Sequence, residues 1–308
     1  MIIDAKLEKK RVYLIKCEIS SILKAFHFQF SNGLMIDLHC HSHFSDGALS
    51  PESLLQKALD AGIHVLALTD HDTTAGLARL HEAACHTNIK IIDGIELSTR
   101  WKKHDIHILG FNITPDNEHL CVLIQQQTES RIARAQQIGT CLVDFGVKDA
   151  YLKACEVAGH ERVGRPHFAQ VLINEGKASD MQTAFKRFLG RGRGAYVPTA
   201  WLSIEAAVEG IAQAGGQAVI AHPLKYKLTR SKLHALISEF KLVGGVGIEV
   251  VSGEMTVSQI NELAGLCLRF ELLASSGSDF HHEMSRIGLG RQQRLPANCT
   301  PIWNGWNI

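Results

Sequence analysis

From Met35 onward, short apolar runs alternate with amphipathic stretches whose apolar positions recur at helical spacing. The apolar runs predict strands and the amphipathic stretches predict helices. The predicted strands cover 35–39, 64–69, 89–96, 105–111, 217–221, 246–251 and 271–275, and the helices between them cover 51–61, 74–86, 203–214, 229–241 and 256–268. This alternation indicates α/β units with a largely parallel sheet, and about seven such units predict a barrel.

The strand pattern is interrupted in the middle of the chain. A Gln-rich helical stretch at 119–145 is followed by predicted helices at 149–158, 166–176 and 180–189, and a Gly-rich segment at 190–196 then returns to the strand pattern. The predicted domains are a barrel built from 35–112 and 191–308, and a helical, substrate-binding insert at 113–190.

Residues 1–34 form an N-terminal extension of uncertain order, because their Lys, Glu and apolar residues follow neither a helical nor a strand period. Two interpretations stay open for this extension. Either it forms a helix that packs on the barrel, or Met35 is the true first residue of the protein.

Composition narrows the class of protein. With 45% hydrophobic and 20% charged residues, the chain is expected to be soluble and globular, and Lys16, Glu18 and Lys24 interrupt the one apolar stretch near the N-terminus, which disfavours a membrane protein. A formal net charge of +1 argues against a protein that coats duplex DNA, so any nucleotide must bind at a local site. Eight cysteines without a CxxC pair, and no recognisable signal peptide, predict a cytoplasmic protein.

Seventeen histidines are the unusual feature of the composition, and many of them follow predicted strands. Functional residues of a βα barrel lie where strands end and the following loops begin. Six predicted strands carry His, Asp or Glu at or after such positions: His39, His41, Asp46, His71, Glu96, His107, His222, Asp279 and His281. A single pair such as His39 and His41 is more often two side chains on one face of a sheet than a metal site.

Together these residues indicate a metal site, because so many imidazoles and carboxylates are costly to bury without cations. Cys40 alternates to the opposite face from its two histidine neighbours and is assigned to the core. Imidazole and carboxylate ligands suit Mn²⁺, Zn²⁺ or Fe²⁺, and Mg²⁺ less well. Nine ligands are too many for one ion, so two or three ions are expected, with Glu96 bridging them. Such sites activate water and clamp a phosphoryl group, which predicts hydrolysis of a phosphate ester.

These residues resemble the motifs of the PHP (polymerase and histidinol phosphatase) superfamily. The motifs are DLHCHSxxSDG at 37–47, TDHD at 69–72, AHP at 221–223 and SDFH at 278–281, with GIELS at 94–98 between them. The resemblance spans most of 35–295 and is strongest to a stand-alone bacterial group that includes 3′,5′-nucleotide bisphosphate phosphatases and 5′-to-3′ exoribonucleases.

The resemblance implies a distorted, TIM-like (β/α)7 barrel, the PHP fold, with a trinuclear and commonly manganese-loaded site. One ion would be held by His39, His41, Glu96 and Asp279, a second by Glu96, His107 and His222, and a third by Asp46, His71 and His281. No ligand position is missing, which argues against a degenerate module retained only for structure.

Arg165 and His167 flank Pro166 at the start of a predicted helix, where free N–H groups favour anions. The resemblance implies that they recognise the substrate phosphate that is not cleaved; the alternative is an exposed helix cap. Arg191 and Arg193 are weaker candidates, because an arginine pair among glycines is usually a solvated loop.

Several other His and Asp residues are close in sequence to the candidate ligands. The spacing of His43, His104 and His282 points them away from the ligands, whereas Asp70 and Asp72 are predicted to orient His71. No residue declares itself as the general acid, for which His222 and a metal-bound water are candidates.

The predicted enzyme removes the 3′-phosphate of nucleoside 3′,5′-bisphosphates, digests short 5′-phosphorylated RNA from its 5′ end, or does both. A histidinol-phosphate or other small-molecule phosphatase is the second interpretation. An amidohydrolase is the third, although Glu96 stands where that class typically has a bridging lysine. A metal-stabilised interaction module is the non-enzymatic alternative.

Overall fold

The computed structural model describes residues 33–284 and 286–308. The predicted N-terminal extension therefore lies outside the described residues, apart from its last two positions. None of the described helices is long and apolar enough to cross a bilayer.

Eight strands and nine α-helices make up the described chain. The strands are β1 (Ile36–Asp37), β2 (Val65–Leu68), β3 (Lys90–Trp101), β4 (His104–Phe111), β5 (Leu202–Ser203), β6 (Gln217–Ile220), β7 (Gly247–Ser252) and β8 (Leu273–Gly277). The helices are α1 (Pro51–Asp60), α2 (Leu77–Ala84), α3 (Glu118–Val143), α4 (Ala150–Ala158), α5 (Arg165–Asn174), α6 (Met181–Ala184), α7 (Ile204–Gln213), α8 (Arg230–Leu242) and α9 (Val257–Phe270). A π-helical turn follows α6 at Phe185–Leu189, and a 3₁₀ turn covers Pro223–Tyr226.

The strands form one sheet in the order β1-β2-β3-β4-β6-β7-β8, and the two-residue β5 pairs with β3 outside this path. Beyond β1, Leu38 N donates to Ser276 O of β8 at 3.1 Å, and a parallel bridge joins Cys40 to Phe280. These contacts bring the first and last strands together. The predicted seven-stranded, TIM-like barrel is therefore confirmed.

One strand of the barrel runs against the rest. β4 is antiparallel to both β3 and β6, whereas the other pairs are parallel. A tight turn with Lys102 at φ +53° joins β3 to β4, and so short a connection can only produce an antiparallel pair. β3 also continues to Trp101, so the prediction that this strand ends at Glu96 is wrong.

Apolar residues inside and around the barrel form two layers. Leu38, Ala67, Leu109 and Val219 belong to the inner cluster. A larger cluster lies between the strands and helices α7, α8 and α9. Polar side chains at the strand ends are thus held by a packed core, which keeps their positions fixed.

Helices α3 to α6 lie between β4 and β5, where the insert is predicted. They pack around a separate apolar cluster that includes Ile138, Leu142, Phe168 and Leu172. The segment thus has its own core, as an independently packed unit would. Its role as a substrate-binding domain stays a prediction.

Candidate metal centre

The fold brings all nine predicted ligand residues to one end of the barrel. Each of the nine belongs to at least one group of His, Asp and Glu side chains whose ligand atoms lie within 4.8 Å of one another. The antiparallel hairpin places His107 beside Glu96. His107 pairs with Ser98, two residues along β3 from Glu96 and therefore on the same face.

Glu96 and Asp279 both lie close to the pair of histidines His39 and His41. His39 Nε2 lies 3.1 Å from His41 Nε2. Glu96 Oε2 lies 3.4 and 3.3 Å from these two nitrogens, and Asp279 Oδ1 lies 3.3 and 3.4 Å from them. Ligand atoms placed tetrahedrally at about 2.0–2.1 Å from a metal lie roughly 3.3 Å from one another. The five close pairs have the spacing expected of ligands that share a first-row metal ion.

The carboxylate of Glu96 is shared by histidines from several loops. Its Oε1 lies 2.9 Å from His107 Nδ1 and 3.0 Å from His222 Nε2, and its Oε2 lies 3.0 Å from His71 Nδ1. A carboxylate with ligand neighbours around both oxygens can bridge two cations. This geometry supports the predicted bridging role of Glu96.

A further group surrounds Asp46. Its Oδ1 lies 3.4 Å from His281 Nε2 and 3.8 Å from His71 Nε2. His71 thus lies between Glu96 and Asp46, with one ring nitrogen near each carboxylate. The predicted third set of ligands is assembled, and its binding of an ion stays a prediction.

The donor set fits metal ions better than it fits protein hydrogen bonds. Among the described residues, Asp46 Oδ1, His71 Nδ1, Glu96 Oε2 and His222 Nδ1 are buried without a hydrogen-bond partner. Buried carboxylates and imidazoles of this kind are costly unless cations or protons compensate them. Two or three ions would satisfy the carboxylate oxygens of Asp46 and Glu96.

Protons take the place of cations in the metal-free chain. Burial opposes the charged form of His281, but Asp46 and Asp279 outweigh it and raise its pKa to about 9. Burial and His281 together lower the pKa of His41 to about 3, so this imidazole is neutral and available as a ligand. Metal ions must therefore displace protons at neutral pH.

We expect metal loading at pH 7.5 to release protons, His281 being one source. With a pKa of about 9, this residue is charged in the metal-free chain at pH 7.5 and must lose its proton to coordinate; above pH 9 this contribution disappears. Calorimetric titration of the metal-free chain in buffers of different ionisation enthalpy counts the protons. His281 is not a source of these protons if the number released is the same in His281→Asn as in the parent. The same conclusion follows if that number does not fall between pH 7.5 and 9.5.

Glu249, a buried acid on β7, supports two of the candidate ligands. Its Oε1 accepts a hydrogen bond from His39 Nδ1 at 2.9 Å, and its Oε2 accepts one from His222 N at 2.7 Å. A carboxylate on Nδ1 fixes the imidazole tautomer that presents Nε2 to a metal. Sequence reasoning missed Glu249, although an acidic residue inside the apolar stretch GIEVVS was a usable signal.

Asp70 and Asp72 do not orient His71, so this prediction is wrong. Asp70 accepts hydrogen bonds from Ser42 and Ser45 in the loop that carries Asp46. Their side chains point away from the imidazole because successive residues at a strand end alternate in direction. The two acids instead fix the loops around the site.

Asp72 connects the barrel to α3. It accepts hydrogen bonds from Ser98 N, from Gln127 Nε2 at 2.9 Å and from Arg131 Nε at 2.6 Å. Asp72 has φ +51°, and the candidate ligands His222 and Asp279 are also in the left-handed region, at φ +28° and +53°. Such backbone conformations in non-glycine residues persist only where surrounding contacts enforce them, and they concentrate at functional sites.

A cleft beside the candidate ligands has arginines in its wall. Its lining residues are Phe44, Ser45, Asp46, His71, Arg131, Arg162 and Gly164. Arg162 donates to Phe44 O at 3.1 Å, which ties the segment before α5 to the loop that carries Asp46. Sequence reasoning missed both cleft arginines.

The two predicted substrate residues of α5 lie next to this cleft. Gly164, which lines it, is the N-cap of α5, and Gly164 N donates to His167 Nδ1 at 2.9 Å. Burial lowers the pKa of His167 to about 4, although Asp46 opposes the shift. Arg165 lies with its guanidinium 5.9 Å from the ring centre of Tyr196. A neutral His167 that accepts at Nδ1 carries its proton on Nε2, where it can donate to an anion.

Arg134 forms a further part of this positive region. It is only 6% exposed, its Nε has no hydrogen-bond partner among the described residues, and burial, Arg131 and Arg165 lower its pKa to about 9. A buried guanidinium without a carboxylate in contact is suited to bind an anion.

The remaining candidates lie elsewhere. Arg191 is exposed and donates to Lys103 O at 2.8 Å, and Arg193 is exposed as well; neither lines the cleft. His43 packs against Phe44, and His104 packs against Trp101. Within the described chain, His43, His104 and His282 belong to no candidate ligand group, as the spacing predicts.

Comparison with known proteins identifies relatives that match nearly the whole chain. A protein of Haemophilus influenzae named 5′-3′ exoribonuclease is 42% identical over 87% of this chain and 97% of its own length. The 3′,5′-nucleoside bisphosphate phosphatase of Chromobacterium violaceum is 41% identical over 87% of this chain and 95% of its own length.

A solved structure has the same fold. The structure of an amidohydrolase from Chromobacterium violaceum, with bound sulfate and no metal, matches with a TM-score of 0.84 and 40% identity, over 87% of this chain and 94% of that chain. The profile of the PHP domain matches residues 37–134, which carry six of the nine candidate ligands. With relatives of this identity and coverage, the chain belongs to the PHP domain family.

Proposed function

We propose that the chain is a metal-dependent phosphoesterase that removes the 3′-phosphate of nucleoside 3′,5′-bisphosphates and cleaves short 5′-phosphorylated RNA from its 5′ end. The observation that carries this proposal is the cleft whose lining includes Arg131 and Arg162 together with Asp46 and His71 of the ligand cluster. Arginines recognise phosphate oxygens, and multinuclear sites hydrolyse phosphate esters. The names of the two relatives support the same substrates.

In this proposal, His39, His41, Glu96 and Asp279 hold one ion, Glu96 with His107 and His222 a second, and Asp46 with His71 and His281 a third. Mn²⁺ is the proposed metal, with Zn²⁺, Fe²⁺ or Mg²⁺ as alternatives. When bound, the ions supply an activated water and neutralise charge on the phosphoryl group. Glu249 keeps the His39 ring oriented, and Arg162 places positive charge beside the reacting phosphate.

The second phosphate of the substrate is assigned to the region around the start of α5. Arg165 and Arg134 supply charge, and His167 supplies a neutral N–H donor next to the helix N-terminus. A nucleotide bound here by its 5′-phosphate would extend its 3′ ester toward the ligand cluster. Removal of a 3′-phosphate and release of a 5′-nucleotide from RNA are then the same reaction on two substrates.

The 5′-phosphate should govern turnover. In the Mn²⁺-loaded protein, we expect Arg165→Met to raise KM for a 3′,5′-bisphosphonucleotide on the order of 10-fold or more, because a charge-assisted contact contributes about 1.5–3 kcal/mol. Its kcat/KM on a 3′-mononucleotide should stay near the parental value. Arg187→Met is the matched control, because Arg187 is an exposed arginine of the same helical segment whose guanidinium bonds to Lys177 O.

Equal parental rates with and without the 5′-phosphate would contradict this substrate assignment. Histidinol phosphate assayed in parallel tests the alternative phosphatase, which predicts faster turnover of that ester. Amide hydrolysis is less well supported for this chain, although the structural neighbour is called an amidohydrolase. The arginine-lined cleft suits a phosphate anion, and the bridging position holds Glu96.

A further inference from the structure

Two buried arginines, one turn apart on α3, carry like charges with few acidic partners. Arg131 is neutralised by Asp72, which lies 2.6 Å from its Nε and 2.5 Å from one terminal nitrogen. Arg134 makes no ion pair with a carboxylate in the described chain, and its Nε has no hydrogen-bond partner. Something other than an acid must therefore hold Arg134 in its buried position.

The indole of Trp201 contacts both guanidiniums. The Cζ atom of Arg131 lies 5.1 Å from the ring centre, and that of Arg134 lies 4.9 Å from it. The face of an indole attracts cations and, unlike a carboxylate, does not neutralise them. Trp201 can thus stabilise Arg134 and leave its hydrogen-bonding groups free for an anion.

The backbone on both sides of Trp201 is fixed. Arg100 donates to Thr199 O at 2.8 Å, and Leu202 N donates to Gln127 Oε1 at 3.3 Å. The following strand β5 pairs with β3, which carries Glu96. The indole is therefore positioned by the barrel and by α3, the helix that carries Arg134.

We propose that Trp201 is a positioning residue for substrate specificity: it holds Arg134 beside Arg165 as an unneutralised cation and so sets the affinity for the substrate phosphate that is not cleaved. The inference rests on the proposed function for its substrate. What is new is the way in which Trp201 positions Arg134, and this does not depend on the metal ligands.

The test compares Trp201→Leu, which removes the aromatic face, with Trp201→Phe, which keeps a weaker one. In the Mn²⁺-loaded protein we expect KM for a 3′,5′-bisphosphonucleotide to rise about 10-fold in the Leu variant and about 3-fold in the Phe variant. kcat, and KM for a 3′-mononucleotide, should not change. Trp306→Leu is the matched control, because Trp306 is bonded to Gln217 at the amino end of β6, away from the cleft.

A purely structural role would change KM or kcat for both substrates alike, and Phe would not rescue the Leu variant; either result overturns the inference. Calorimetric Kd values for a nucleoside 5′-monophosphate, which need no turnover, separate this inference from the proposed function. If the parent hydrolyses neither substrate, yet Trp201→Leu weakens this Kd about 10-fold, only the proposed function fails. A parental Kd in Trp201→Leu overturns the role of Trp201.

Discussion

Glu96→Gln is expected to abolish multinuclear metal binding and to lower kcat/KM by at least about 10³-fold, because one carboxylate serves the ligands of several sites. Glu96 lies within 3.4 Å of His39, His41, His71, His107 and His222. An amide cannot bridge two cations, and its NH₂ group would face ring nitrogens that need an acceptor or a metal. Metal content by mass spectrometry of the dialysed protein, together with turnover of a 3′,5′-bisphosphonucleotide, measures both effects.

Asp93→Asn is the matched control, since it makes the same chemical change on the same strand. Asp93 pairs with His81, away from the ligand groups. It should retain parental metal content and turnover. If Glu96→Gln folds, keeps its full metal content and stays active, the site is not assembled around Glu96. Loss of metal without loss of turnover would show that the turnover does not depend on this metal site.

The second large effect is expected from Glu249→Gln, which touches no proposed metal. The carboxylate accepts hydrogen bonds from both His39 Nδ1 and His222 N. Gln offers one acceptor and one donor, so whichever way the amide is turned, it loses one of these bonds. We expect metal affinity to fall about 10–100-fold, as for other residues that orient metal-bound histidines.

Competition with a chromophoric chelator gives the metal affinities for this comparison. Saturating Mn²⁺ should restore much of the turnover of Glu249→Gln, whereas it should not restore that of Glu96→Gln. Glu254→Gln is the control, because this exposed acid near the end of β7 pairs with Arg286 on the surface. Parental affinity in Glu249→Gln would show that the carboxylate does not orient the ligand.

Much of the fold could be predicted because the periodicity was strong wherever helices and strands were regular. The ends of α1, for example, are predicted within one residue, since Ser50 does cap it by accepting from Ser53 N. The direction of β4 was not predictable from hydropathy, because a buried strand has the same pattern whichever way it runs. It depends on the short turn before His104.

The residues of the candidate site that could be predicted are those that belong to short sequence motifs. His39 and His41 differ by two positions and so share a face, and the strand end places them at the barrel mouth. Arg131 and Arg134 gave no such signal. They lie on α3, a helix rich in polar residues, and only the tertiary contacts with Asp72 and Trp201 distinguish them from solvated arginines.

The closure of the barrel by its first and last strands has a consequence for biosynthesis. The candidate ligands begin at His39 and end at His281. At ribosomal rates of about 5–20 residues per second, the first histidines would wait on the order of ten to fifty seconds for the last. An incomplete nascent chain offers only part of the ligand set. Only the finished barrel offers the full ligand set. The metal content of freshly made protein should therefore reflect the ions that are available when the barrel closes.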